Sequence, residues 1–278
     1  MADAEPPVIV LEAGRAERHY WRDLWTYREL FAVLAWRDLA VRYKQTVIGV
    51  AWALIRPLLT TIIFTLGATR IAKLTSDGDA PYALLVFAGV LPWTLFSTIL
   101  GDAAASLVSN ANLISKVYFP RLIVPSATIV VALVDAGITL LLMFLMMGFY
   151  RYGPDWRLAF LPLFFIFAVL ASLGPALLLT AMNVKYRDFR FIVPFIVQFG
   201  IYVSPVLFSS THVPDRWRLL YSLNPMASVI DGFRWSLLRG QTPLFLPGFA
   251  VGAAVTLVFL VWGVGYFRKT ERTFADLI

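Results

Sequence analysis

Few ionisable side chains of this 278-residue chain fall within its long apolar runs, and their surroundings limit what chemistry they can do. Asp102 and Asp135 fall inside long apolar runs, and Arg56 stands near the boundary of another. An ionisable group at membrane depth is a functional candidate by default. Asp135, between Val134 and Ala136, has no second acid or base in its own run. A proton relay therefore has thin support. A hydrogen bond to a Ser or Thr of another helix is the better reading, and Asp135→Asn is expected to be tolerated. Asp102, near the end of its run, can reach water or Lys116 and reads as structural. His19 and His212 lack acidic or histidine neighbours at ligand spacing, so no metal site is expected. The absence of cysteine removes disulfides and thiolate ligands. No Gly-x-x-x-x-Gly-Lys-Ser/Thr occurs, so ATP is not expected to be hydrolysed on this chain.

Two short hydrophilic interruptions carry much of the remaining polar character. One is Asn110-Ala-Asn-Leu-Ile-Ser-Lys-Val-Tyr-Phe-Pro-Arg121; the other is Asn183-Val-Lys-Tyr-Arg-Asp-Phe-Arg190. Short basic loops stay on the cytoplasmic side of a membrane, where a motor subunit can grip a transporter. Aromatic residues make up 15% of the chain. Trp21, Trp25, Trp36 and Trp52 gather at the inner boundary, as an interfacial belt does. Trp93 and Phe96 follow Pro92 within a span, and Phe64, Phe199 and Tyr202 also fall inside spans. Such rings either pack helices together or stack on the apolar faces of sugars in a pore.

The elements that position these residues follow from composition. The chain is 59% hydrophobic and 15% charged, against about 45–50% and about 25% in a soluble domain. It reads as an integral membrane protein. The net charge of +7 belongs to loops between apolar segments, so nucleic acid is not an expected partner. The stretch 1–17 lacks a basic region followed by an apolar core, and no cleavable signal is expected. Six segments meet the length of about 20 residues needed to cross a bilayer: 47–69, 82–107, 122–150, 158–182, 191–208 and 247–267. Fifteen of the 24 Lys and Arg fall on the proposed inside and eight outside, which puts both termini in the cytoplasm. A tail (1–25) precedes a moderately amphipathic segment (26–46). There Tyr27, Leu30, Leu34 and Val41 share a stripe, and an interfacial helix is expected. The connection 211–246 is too apolar for a solvated loop. Asn224-Pro225 divides it and Gly240 closes it, so a re-entrant helical hairpin in the outer leaflet is expected. A short tail (268–278) ends the chain.

Four blocks, in order along the chain, resemble the membrane subunits of ABC-2-type exporters for O-antigen, capsule and teichoic-acid polysaccharides. They are Arg37-Asp-Leu-Ala-Val-Arg-Tyr-Lys-Gln45 with Pro57 downstream; Leu91-Pro-Trp-Thr-Leu-Phe96; Lys116-Val-Tyr-Phe-Pro-Arg121; and Asn183-Val-Lys-Tyr-Arg-Asp188, followed by Ser204-Pro205, Asn224-Pro-Met226 and Phe233-Arg-Trp235. The resemblance runs from about Tyr20 to Ile278; Arg56 before Pro57 departs from it, a neutral residue being usual there.

The resemblance implies an all-α integral membrane fold: a six-span domain (47–267), an N-terminal cytoplasmic interfacial helix and an outer re-entrant hairpin. It implies a homodimer in the bacterial inner membrane, surrounded by membrane lipids and bound by two copies of an ABC ATPase subunit. ATP and Mg would belong to that subunit, and this chain would hold no cofactor and catalyse nothing. The substrate implied is a polyprenyl-diphosphate-linked glycan. Arg37, Arg42, Lys44 and Arg56 would draw its diphosphate to the inner mouth, as a converging positive field draws any anion. Phe64, Trp93, Phe96, Phe199 and Tyr202 would line the channel. The loop 108–120, through Asn110, Asn112, Ser115, Lys116 and Tyr118, would dock in the ATPase. Trp217, Tyr221, Asn224, Pro225 and Phe233 would form an outer gate. An ABC-2 pump for a drug or lipid, and a proton-coupled secondary transporter dependent on Asp135, are the alternatives.

Overall fold

The computed structural model describes residues 20–44, 49–71, 78–186 and 188–274. Arg15, Arg18, His19, Gln45, Thr46, Val47, Lys73, Ser76 and Arg187 lie outside the described residues, as does the end of the C-terminal tail. Everything regular among the described residues is helical. In lipid an apolar backbone must satisfy its own N–H and C=O groups, and a helix does so within one segment. The described residues begin with α1 (Tyr20–Thr26) and α2 (Arg28–Lys44), followed by α3 (Gly49–Leu66), α4 (Tyr82–Ser109) and the single turn α5 (Ala111–Ile114). Then come α6 (Ile123–Phe149), α7 (Leu161–Lys185), α8 (Phe189–Val203), α9 (Asp215–Tyr221), α10 (Pro225–Leu237) and α11 (Leu246–Glu271).

Among the described residues, five helical stretches are long and apolar enough to cross a membrane: Ala51–Arg70, Tyr82–Ser109, Ile123–Phe149, Trp156–Lys185 and Leu246–Glu271. The fifth expected span, 191–208, is shorter than anticipated. It forms α8, a helix of 15 residues, or roughly 22 Å at 1.5 Å per residue. Ser204 ends it in an extended conformation (φ −88°, ψ 152°), because the following Pro205 disfavours helical geometry at the residue before it.

α4 is the central post. It is buried almost all round, from Leu84 and Phe87 through Leu95 to Leu107, and packs on α3, α6, α7, α8 and α10. Polar side chains also join it to α7: Thr180 Oγ1 donates to the Ala103 carbonyl at 2.9 Å, and Asn183 Nδ2 to that of Ala104 at 2.8 Å. α7 in turn crosses α11 at a glycine pair. A Cβ on Gly263 would stand 2.2 Å from the Gly174 carbonyl oxygen, and one on Gly174 would stand 2.5 Å from the Phe259 backbone. Small residues let helices approach this closely where lipid supplies no hydrophobic drive.

The apolar connection expected as a hairpin forms α9 and α10, divided at Asn224. That side chain caps α10 by accepting from the Met226 N–H at 3.1 Å, with Pro225 in the first turn. α10 is almost wholly enclosed and packs on α4, α7 and α11.

Candidate functional site

At the end of the bundle that carries α5, α2 leans along α6. Leu34 and Ala35 share one buried cluster with Leu122, Ile123, Val124 and Ala127, whereas Arg42 and Tyr43 reach Asp135, farther along α6. The Arg42 guanidinium bridges two helices, with Asp102 Oδ2 at 2.9 Å on α4 and Asp135 Oδ2 at 2.6 Å on α6. The Tyr43 hydroxyl also donates to Asp135. Burial, with the Asp135 carboxylate beside it, pushes the Tyr43 phenol above its ordinary range, so it remains a donor. This corrects two readings: Asp135 is paired with an arginine and a tyrosine and not with a Ser or Thr, and Asp102 meets Arg42. Thr139 bonds only the Asp135 main chain, donating to its carbonyl at 2.9 Å.

The other expected cations of the mouth stay at the surface. Arg37 is exposed and pairs with its neighbour Asp38 at 2.7 Å. Lys44 is exposed, and Arg56 stacks 5.8 Å from the Trp52 ring centroid. Val41 faces outward and is not part of the buried stripe of α2.

The aromatics divide between packing and surface. Trp93 is only 6% exposed and fills the space over Gly200, where a Cβ would stand 2.5 Å from its ring. Phe96 leans on it at 5.2 Å. Phe199 and Tyr202 are 53% and 58% exposed. With Phe191 and Phe195 they form one stripe of α8 at spacings of three and four residues. The Phe195 and Phe199 rings lie 4.2 Å apart, and Tyr202 meets Phe64 of α3 at 6.3 Å. An unbroken aromatic face thus runs along α8 and joins α3.

The α5 loop is a small anchored projection. Ile114 and Phe119 are buried and anchor it, while Asn112, Ser115, Lys116 and Tyr118 point outward. Asn110 holds its start by donating to the Ser106 carbonyl at 2.8 Å. Behind the loop sits a knot that the sequence did not reveal. The Glu271 carboxylate, at the end of α11, accepts from the Arg121 N–H at 2.6 Å and from the Tyr20 hydroxyl at 2.8 Å. The Arg121 guanidinium donates to the Glu271 carbonyl. Burial and the adjacent Glu271 raise the Tyr20 phenol, which therefore stays protonated. The loop, the first helix and the last helix are thereby tied together.

At the opposite end the irregular stretch after α8 carries main-chain carbonyls that need donors. Tyr221 donates to the Val203 carbonyl at 2.8 Å and Tyr82 to that of Leu207 at 2.5 Å. Arg234 is fully buried and donates to Leu85, Val206 and Phe208 carbonyls at 3.1, 2.9 and 2.8 Å. Asn224 Nδ2 donates to Ser204 Oγ at 2.9 Å. Arg234 is thus a buried structural latch. Phe233 is buried against Phe165 at 4.9 Å, while Trp217 alone of the expected gate residues is largely exposed. α9, α10 and the end of α8 form one connected assembly.

The sequence profile of the ABC-2 type transporters matches residues 29–238, a stretch that contains the arginine–carboxylate junction, the α5 loop, the α8 face and the latch. The chain belongs to the ABC-2 type transporter family. Among curated proteins it is similar to the O-antigen export system permease protein RfbA of Myxococcus xanthus, at 28% identity over 92% of this chain and 98% of that protein. Two such permeases of Klebsiella pneumoniae match at 26% and 25% identity, each over 90% of this chain and 95% of the relative. As a member of this family the chain has the all-helical membrane fold that the ordered blocks implied.

Proposed function

We propose that the chain is the channel-forming membrane subunit of an exporter that moves a lipid-linked, O-antigen-like polysaccharide, driven by ATP on a separate subunit. The observation that carries this reading is the match to three O-antigen export permeases from end to end, with no large part of either chain left over. The geometry supports it. A polymer must slide past every point of its path, which favours weak repeated contacts over one deep pocket. The α8 stripe offers ring faces at nearly every turn. Two copies of the chain would bring α3 and α8 face to face around the path, with each α5 loop seated in its own ATPase.

With α8 counted as a short fifth crossing, α5 and both termini face the cytoplasm and the α9–α10 hairpin the outside. Arg37, Lys44 and Arg56 would attract the lipid diphosphate electrostatically. Arg42, bound to two carboxylates, would serve first to fix α2. Deleting the gene in its own bacterium should leave lipid-linked polymer inside and strip it from the surface. Restoration should require both this chain and an ATPase subunit with a P-loop. Unchanged surface polymer, or export by this chain alone, would defeat the proposal.

A further inference from the structure

One face of α11 is unused by this scheme. Gly265, Arg268, Lys269 and Arg272 line an open hollow of about 500 Å³. Their spacing of three, four and seven residues puts them on one helical face. Arg268 is fixed there by stacking over Tyr20 and Trp21, with ring centroids 4.7 and 5.9 Å away. One and two turns back along the same face stand Trp262, Val261 and Val258, all exposed and apolar. The stripe therefore reads, from mid-helix to its end: apolar surface, a notch with no side chain, then three cations beside an aromatic pair.

We infer that this stripe binds one anionic phospholipid, with its acyl chain along Val258, Val261 and Trp262 and its phosphate over Gly265 among Arg268, Lys269 and Arg272. Charge complementarity selects the headgroup, because basic hollows at the inner surface hold anionic lipids. The inner-leaflet placement rests on the orientation proposed above. The exported lipid diphosphate is a poorer occupant: α11 packs on α7, α9 and α10, whereas α3 packs on α4 and α6. α4 and α7 thus stand between this stripe and the aromatic face. A bulk phospholipid that stays in place would hold the end of α11, and with it the Glu271 knot behind the α5 loop.

The test is lipid retention by the purified full-length chain, measured by native mass spectrometry after exchange into mixed phosphatidylglycerol and phosphatidylcholine. Wild type should keep phosphatidylglycerol selectively. The variant R268Q/K269Q/R272Q should lose at least about tenfold of that retention, from the loss of three surface cations. A second variant guards against misfolding: a Cβ at Gly265 meets nothing within 4 Å, so Gly265→Leu fills the notch without strain while keeping every charge. It should also release the lipid. Excess inorganic phosphate should not displace it, since the acyl contacts remain. Equal retention of both lipids by wild type, normal retention by Gly265→Leu, or displacement by phosphate would overturn the assignment. Because no step requires polysaccharide, failure here leaves the export reading standing, and failed export leaves this result intact.

Discussion

Arg42 reaches two carboxylates on two other helices, and this gives Asp135 a different meaning from the one its neighbours in sequence suggest. The Asp135 side chain is buried, and a buried carboxylate is costly unless a charge and a donor meet it. Arg42 and Tyr43 supply both. Asp135→Asn should therefore not be silent: it removes the charge that faces Arg42 from α6, at 2.6 Å. A loss of about 1–3 kcal/mol is expected, less than for a fully buried pair because Arg42 is itself partly exposed. The check is a thermal melt of the purified protein. The double variant Arg42→Met with Asp135→Leu should recover much of that stability, and a double variant no more stable than the single one would contradict the pairing. None of this was legible in sequence, since the partner lies 92 positions away in the adjacent residue Tyr43 and 93 in Arg42 itself. The structural role of Arg234 was hidden for the same reason. An arginine in an apolar connection looks like a topological marker until three carbonyls are seen around it. Arg234→Gln should destabilise by about 2–4 kcal/mol through stranded carbonyls. Arg234→Lys should rescue only part, because an ammonium cannot present a planar fork of donors to three acceptors.

At the level of helices the sequence was a good guide wherever length and apolar content alone decide the outcome. The long spans stand where a run of about 20 apolar residues put them. The failure at 191–208 is instructive, because Ser204-Pro205 was in plain view and its preference for extended geometry was enough to end α8 early. The exit is tolerable in an apolar setting only because Tyr82, Tyr221 and Arg234 supply donors to the freed carbonyls. Composition could announce a hairpin in 211–246, but it could not reveal that α10 is sunk among α4, α7 and α11. The α5 loop gives an element-scale prediction. Lys116 and Tyr118 are exposed on a loop anchored by Ile114 and Phe119. The double alanine variant should keep its melting temperature, as exposed substitutions shift stability by about 0.5 kcal/mol or less, yet abolish export and weaken co-purification of an ATPase subunit. Normal export from that variant would remove the loop from the coupling step.

For the whole molecule the question is which aromatic surface the proposed polymer would meet, and burial divides the candidates cleanly. Trp93 and the exposed rings of α8 are all aromatic residues within apolar helices, and sequence alone gave no ground for separating them. Burial does. Trp93 is enclosed over Gly200, so Trp93→Ala opens a cavity and should cost about 3–5 kcal/mol, lowering export only as far as it lowers the amount of folded protein. Phe195→Ala, Phe199→Ala and Tyr202→Ala remove rings that face outward. They should leave the melting temperature of the isolated chain nearly unchanged while each reduces export in part, because a sliding polymer is held by many small contacts. A triple alanine variant should reduce it far more than any single change. The two quantities to compare are export per inserted molecule, from surface polymer normalised to membrane-inserted chain, and the melting temperature of the same variant. If Trp93→Ala cuts export per molecule while the α8 triple variant exports normally, the path does not run along α8. The exposed face would then be an ordinary lipid-facing surface, and the channel would have to be sought against α4.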